Sequence, residues 1–71
     1  MNATEWLAAY AERLGTESPS AEEIESVLAL AGVAAHSSER IAAPVACWMA
    51  ARAGVSLQDA KTAAQGIGAD G

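Results

Sequence analysis

Basic side chains are scarce in this chain. Arg13, Arg40, Arg52 and Lys61 stand against nine Asp and Glu, for a net charge of −5. They are also dispersed. Nucleic-acid binding needs Lys and Arg gathered where they can meet phosphates, so no nucleic-acid partner is expected. An anionic membrane surface is disfavoured for the same reason. A single cysteine, Cys47, cannot form an internal disulfide, and the cytoplasm is the expected compartment. No apolar run approaches ~18 residues, so no membrane span is expected. The first residues carry Glu5 and no basic leader, so a signal peptide is not expected either. One Cys and one His fall short of a zinc ligand set, and no metal is expected. Gly66-Ile67-Gly68 is too short and too terminal for a phosphate loop, and no cofactor is expected.

Large apolar side chains are scarce as well. The hydrophobic fraction is 52%, but 19 of those residues are Ala. Ala is the best helix former and a poor core filler. Packing falls to Trp6, Leu7, Tyr10, Leu14, Ile24, Val27, Leu28, Leu30, Val33, Ile41, Val45, Trp48, Met49, Val55, Leu57 and Ile67. With 71 residues there is room for one domain over 1–71. A chain of this size buries roughly 60% of the surface it exposes when unfolded. Ala-rich faces let helices approach closely, so tight helix packing is expected, with help from a partner subunit in view.

What is present is helix signal. The fold class expected is all-α, a compact bundle of four helices over about 5–14, 21–37, 43–53 and 57–66. Thr4 is the N-cap expected for the first helix, with Glu5 near the positive end of the dipole. Leu7, Tyr10, Ala11 and Leu14 share a face, with Trp6 beside them. Gly15 suits the left-handed position that ends a helix. Ser18-Pro19-Ser20-Ala21-Glu22-Glu23 spells a capping box, and Glu22, Glu23 and Glu25 load the first turns with favourable negative charge. Ile24, Val27, Leu28, Ala31 and Ala35 follow as a stripe. Leu30 and Val33 fall outside it and point to a second contact surface. Gly32, which costs about 1 kcal/mol against Ala in a helix, implies a close crossing or an early helix end.

Pro44 fits only a first helical turn, so a third helix starts near Ala43 and ends at Gly54. On it Ile41, Val45, Trp48 and Met49 point one way, with Cys47, Ala50 and Ala51 on flanking or opposite sides. Ser56 opens a fourth helix whose Leu57, Ala60, Ala64 and Ile67 could face the core. Residues 67–71 are expected to be a flexible tail.

The polar residues offer three readings of function. His36, Ser37 and Arg40 could form an anion-binding corner of imidazole, hydroxyl and guanidinium before the third helix. Read structurally, His36 and Arg40 cap the second helix and pin the turn. Cys47 is a candidate nucleophile only if a base reaches it, and His36 is the one imidazole. Read structurally, it is a half-buried thiol on an Ala-rich helix. Trp48 is either core or, exposed beside Leu30 and Val33, the anchor of an interface. No enzyme activity is expected.

The stretch Val27–His36, with Arg40 and Ala42-Ala43-Pro44 after it and Trp6-Leu7 before, resembles a small actinobacterial helical domain of unknown function. That domain is found alone or attached to proteins of molybdenum-cofactor guanylyltransferase type. The resemblance covers about residues 4–55 and implies a helical accessory module with no assigned chemistry. The attached enzyme's nucleotide loop is absent here, so its transferase activity is not implied. The function expected is a non-enzymatic accessory or protein-interaction module, acting through a protein partner or as a homodimer. Its alternative is a small anion- or nucleotide-binding domain using His36 and Arg40.

Overall fold

The computed structural model describes residues 1–67. It contains four helices in chain order: α1 Ala3–Leu14, α2 Ala21–Ser37, α3 Ala42–Ala53 and α4 Leu57–Gly66. The expected all-α bundle of four helices is therefore present, with no strand among the described residues. Of the tail expected over 67–71, only Ile67 falls within them.

Local chemistry accounts for each boundary. The α1 start differs from expectation: Asn2, not Thr4, is the N-cap. The Asn2 side chain accepts from the Glu5 N–H at 2.8 Å, and the Glu5 carboxylate accepts from the Asn2 N–H at 3.2 Å. That reciprocal box satisfies two donors no helical carbonyl can reach. Ser20 and Glu23 build the same box on α2. Ser56 caps α4 by accepting from the Asp59 N–H at 3.0 Å. Gly15 and Gly54 close α1 and α3 in the left-handed region, at φ 76° and 73°, a backbone conformation that strains any residue with a side chain. Pro44 sits in the first turn of α3, where its missing N–H is harmless.

α2 is the centre of the molecule. It packs against both α3 and α4, whereas α1 has no comparable packing partner. The core cluster is Leu30, Ala50 and Ala60, with Cys47, Leu57 and Ala64 packed against it. Leu30, expected at an outer surface, is the most buried side chain, 2% exposed. The stripe expected on α2 is thus rotated: Leu30 and Ala34 face inward, while Leu28 is 63% exposed. Val33 is half-buried. α4 behaves as expected through Leu57, Ala60 and Ala64, but Ile67 is exposed.

Most side chains expected to fill the core do not. Trp6, Tyr10, Leu14, Ile41, Val45, Trp48, Met49 and Val55 are all exposed. The reason is visible on α3. Its Cys47 and Ala50 side meets α2 and α4, because small side chains let helix axes come close, and the large apolar side is turned outward. Gly32 is likewise not a crossing point. It lies inside α2, and a Cβ built on it would meet nothing within 4 Å.

Candidate functional site

The corner between α2 and α3 was the leading polar site. His36 and Ser37 lie in the last turn of α2, and Arg40 lies in the connection; all three are exposed. The Ser37 hydroxyl donates to the Val33 carbonyl of its own helix at 2.7 Å. The N–H groups that open α3 are also engaged. Ala42 donates to the Glu39 carbonyl at 2.9 Å and Ala43 to the Arg40 carbonyl at 3.1 Å. Pro44 has no N–H to offer. The corner thus presents an imidazole and a guanidinium, with the backbone donors beside them already in use.

Cys47 is part of the packed interior. Its Sγ lies 3.9 Å from the Val27 carbonyl oxygen, a long contact consistent with a weak thiol donor. Val27 lies well before His36 along α2, so the thiol is aimed away from the imidazole's end of the helix. Among the described residues, no group of three His, Cys, Asp or Glu is placed to hold a metal ion. No buried side chain among them is polar or charged. No helix among them is long and apolar enough to cross a membrane.

The surface has more to offer. The outward face of α3 carries Ile41, Val45, Trp48 and Met49, at spacings of three and four that align them along one side. Trp48 is 59% exposed. The Arg52 guanidinium lies over its ring, 5.1 Å from the centroid, at the spacing of one helical turn. Trp48 therefore stands on the surface, with neither buried Leu30 nor half-buried Val33 forming an exposed patch around it.

A second apolar stripe runs along α1. Trp6, Tyr10 and Leu14 are exposed, and the Trp6 and Tyr10 rings meet at 5.0 Å between centroids. A surface depression of about 300 Å³ is lined by Met1, Trp6, Ala9, Tyr10 and Arg13. All of these belong to α1 or the residues before it, so the depression is a groove on one helix. Sequence reading assigned Ile41, Val45, Met49, Tyr10 and Leu14 to the core. The signal that could have placed them outside is the Ala and Cys side of α3, since a face of small residues is the one that permits close helix approach.

The DUF6457 family, described as a domain of unknown function, matches residues 1–69. The chain belongs to the DUF6457 family. The match extends past both ends of the stretch on which a small helical domain of unknown function was already discernible. No curated protein and no solved structure matches the chain. The DUF6457 domain seen here is thus a four-helix fold with apolar side chains left on its surface.

Proposed function

We propose that this chain is a non-enzymatic protein-interaction module that docks through the outer face of α3. The single observation that carries the reading is the exposed row Ile41, Val45, Trp48 and Met49 on a helix already anchored by its other side. A tryptophan backed by an arginine is the composition of an interface hot spot. A solvent-exposed apolar row costs solubility unless something covers it. The chain is acidic overall, but α3 itself reverses this locally. It contains no carboxylate, and Arg52 lies in its last turn, while Glu39 and Arg40 stand side by side in the connection before it. The occupant of this face is apolar with an acidic rim.

The accessory role fits the resemblance to domains attached to molybdenum-cofactor guanylyltransferase-like proteins, which makes enzymes of that type the first foreign partners to try. The cytoplasm remains the compartment proposed. Anion binding at His36, Ser37 and Arg40 is the second reading. It draws support only from an imidazole and a guanidinium exposed at one connection. A shift of the melting curve by phosphate or nucleotides, lost in Arg40→Ala, would establish it.

Docking is tested by placing a photo-crosslinking residue at Val45 or Met49 in living cells, with Gln58 as the control position. The expected result is one cross-linked species shared by the two α3 positions and missing from the control. Cross-linking that is equal at all three positions, or absent from both α3 positions, overturns the reading.

A further inference from the structure

We propose that α1 is a separately folding arm. Its helix forms and melts on its own, below the unfolding of α2–α4, and its groove exists only while it is helical. This goes beyond the docking of α3 and does not depend on it.

α1 and α3 are built in opposite ways. Both are 12 residues long. α3 has no side-chain cap, yet its Cys47 and Ala50 side is packed into the core. Tertiary contact holds it. α1 has no packing partner comparable to those of α2, and Trp6, Tyr10 and Leu14 are exposed. Only Ala11 is buried on it, beside the turn where the Thr16 N–H donates to the Ala11 carbonyl at 3.0 Å.

What α1 has instead is local. Asn2 and Glu5 close a capping box, and Glu5 and Arg13 sit at the ends where the helix dipole favours their charges. Trp6 and Tyr10, four residues apart, meet at 5.0 Å between ring centroids. A helix this short is marginal in water without tertiary cover. These local terms therefore bring α1 near balance and do not lock it.

The connection leaves the arm free. The Gly15 and Thr16 N–H groups bond back to α1, and Ser20 bonds forward into α2. Among the described residues, no hydrogen bond ties α1 or this connection to α3 or α4. The radius of gyration is 13.2 Å, where about 11 Å is usual for this length, as an outlying element would make it.

The groove follows the helix. Trp6, Ala9, Tyr10 and Arg13 line the depression of about 300 Å³, at spacings of three and four. Such residues share one face of a helix but are split between the two sides of an extended chain. Melting of α1 thus removes the groove and leaves the core of Leu30, Ala50 and Ala60 in place.

The test is amide hydrogen exchange of the whole chain, read residue by residue by NMR, with Ala8→Gly beside it. Ala8 is exposed in the middle of α1, so the change weakens the helix and leaves the core untouched. Amides from Leu7 to Leu14 are expected to be at least about 10-fold less protected than those around Leu30. Ala8→Gly is expected to lower the helical equilibrium of α1 about 5-fold, with the protection of α2 unmoved. In a Trp48→Phe chain, Trp6 is the one indole, and its near-ultraviolet circular dichroism is expected to fade on warming before the cooperative transition. Amides of α1 protected as strongly as those around Leu30 overturn the proposal. So does an equal loss of protection in α1 and α2 on Ala8→Gly, since the two would then unfold as one unit. Carbon chemical shifts that show no helix over Ala3–Leu14 overturn it from the other side.

Discussion

α1 and α2 begin with the same device and come to opposite ends. Each opens on a reciprocal capping box, Asn2 with Glu5 and Ser20 with Glu23, and each carries an apolar row. α2 buries Leu30 between two neighbours, while α1 buries only Ala11. The difference shows that a helix's local grammar fixes where it starts and stops, and says little about what it leans on.

The largest effect should come from the core position of α2. Leu30→Ala removes the one fully buried large side chain and is expected to cost about 3 kcal/mol. In so small a domain that leaves the fold at the edge of unfolding at room temperature, read as a collapse of the urea midpoint. Leu28→Ala, two positions away and exposed, is expected to stay within about 0.5 kcal/mol. Equal costs for the two would erase the inward direction assigned to α2.

The caps sharpen the contrast next. Ser20→Ala is expected to destabilise the whole cooperative unit by about 1 kcal/mol, because α2 touches both other packed helices. Asn2→Ala breaks the same kind of box, yet in the monomer it should fray α1 alone. Far-ultraviolet circular dichroism would then lose signal before the transition, with the urea midpoint unmoved. A midpoint shift as large as that of Ser20→Ala would mean that α1 packs into the core of its own chain.

The smallest effect is a gain. Gly32 lies within α2 with open space where a Cβ would go, so Gly32→Ala should stabilise by about 0.5–1 kcal/mol in thermal or urea unfolding. A loss instead would show that something in solution approaches that side of α2.

These contrasts also mark what the amino-acid sequence could disclose. Ser20 with Glu23, Pro44 in a first turn, and Gly15 and Gly54 as stops are local signals, and they placed all four helices within a few residues of their observed ends. The face each helix turns inward was a different matter. On α3 the large and small sides are both apolar, so periodicity alone could not choose between them. The choice was made by close approach: Ala50 and Ala60 let α3 and α4 settle beside Leu30, and the bulky row went outward. Leu30 was misplaced for the same reason, since the wide apolar surface of α2 admits more than one inward direction. At the candidate sites, a surface place for Trp48 was one of the two readings the sequence offered, but surface places for its neighbours Ile41, Val45 and Met49 were not. The corner of His36, Ser37 and Arg40 was legible as polar, but not the carbonyls that already engage its backbone donors.

The account depends most on α3 presenting its large side to solvent until a partner arrives. Fluorescence of Trp48 in a Trp6→Phe variant reads this directly, in a sample shown by sedimentation to be monomeric. The expected result is red-shifted emission, readily quenched by acrylamide. Blue-shifted, quencher-protected emission from Trp48 in the monomer would mean that the chain covers this face itself, and would contradict the account.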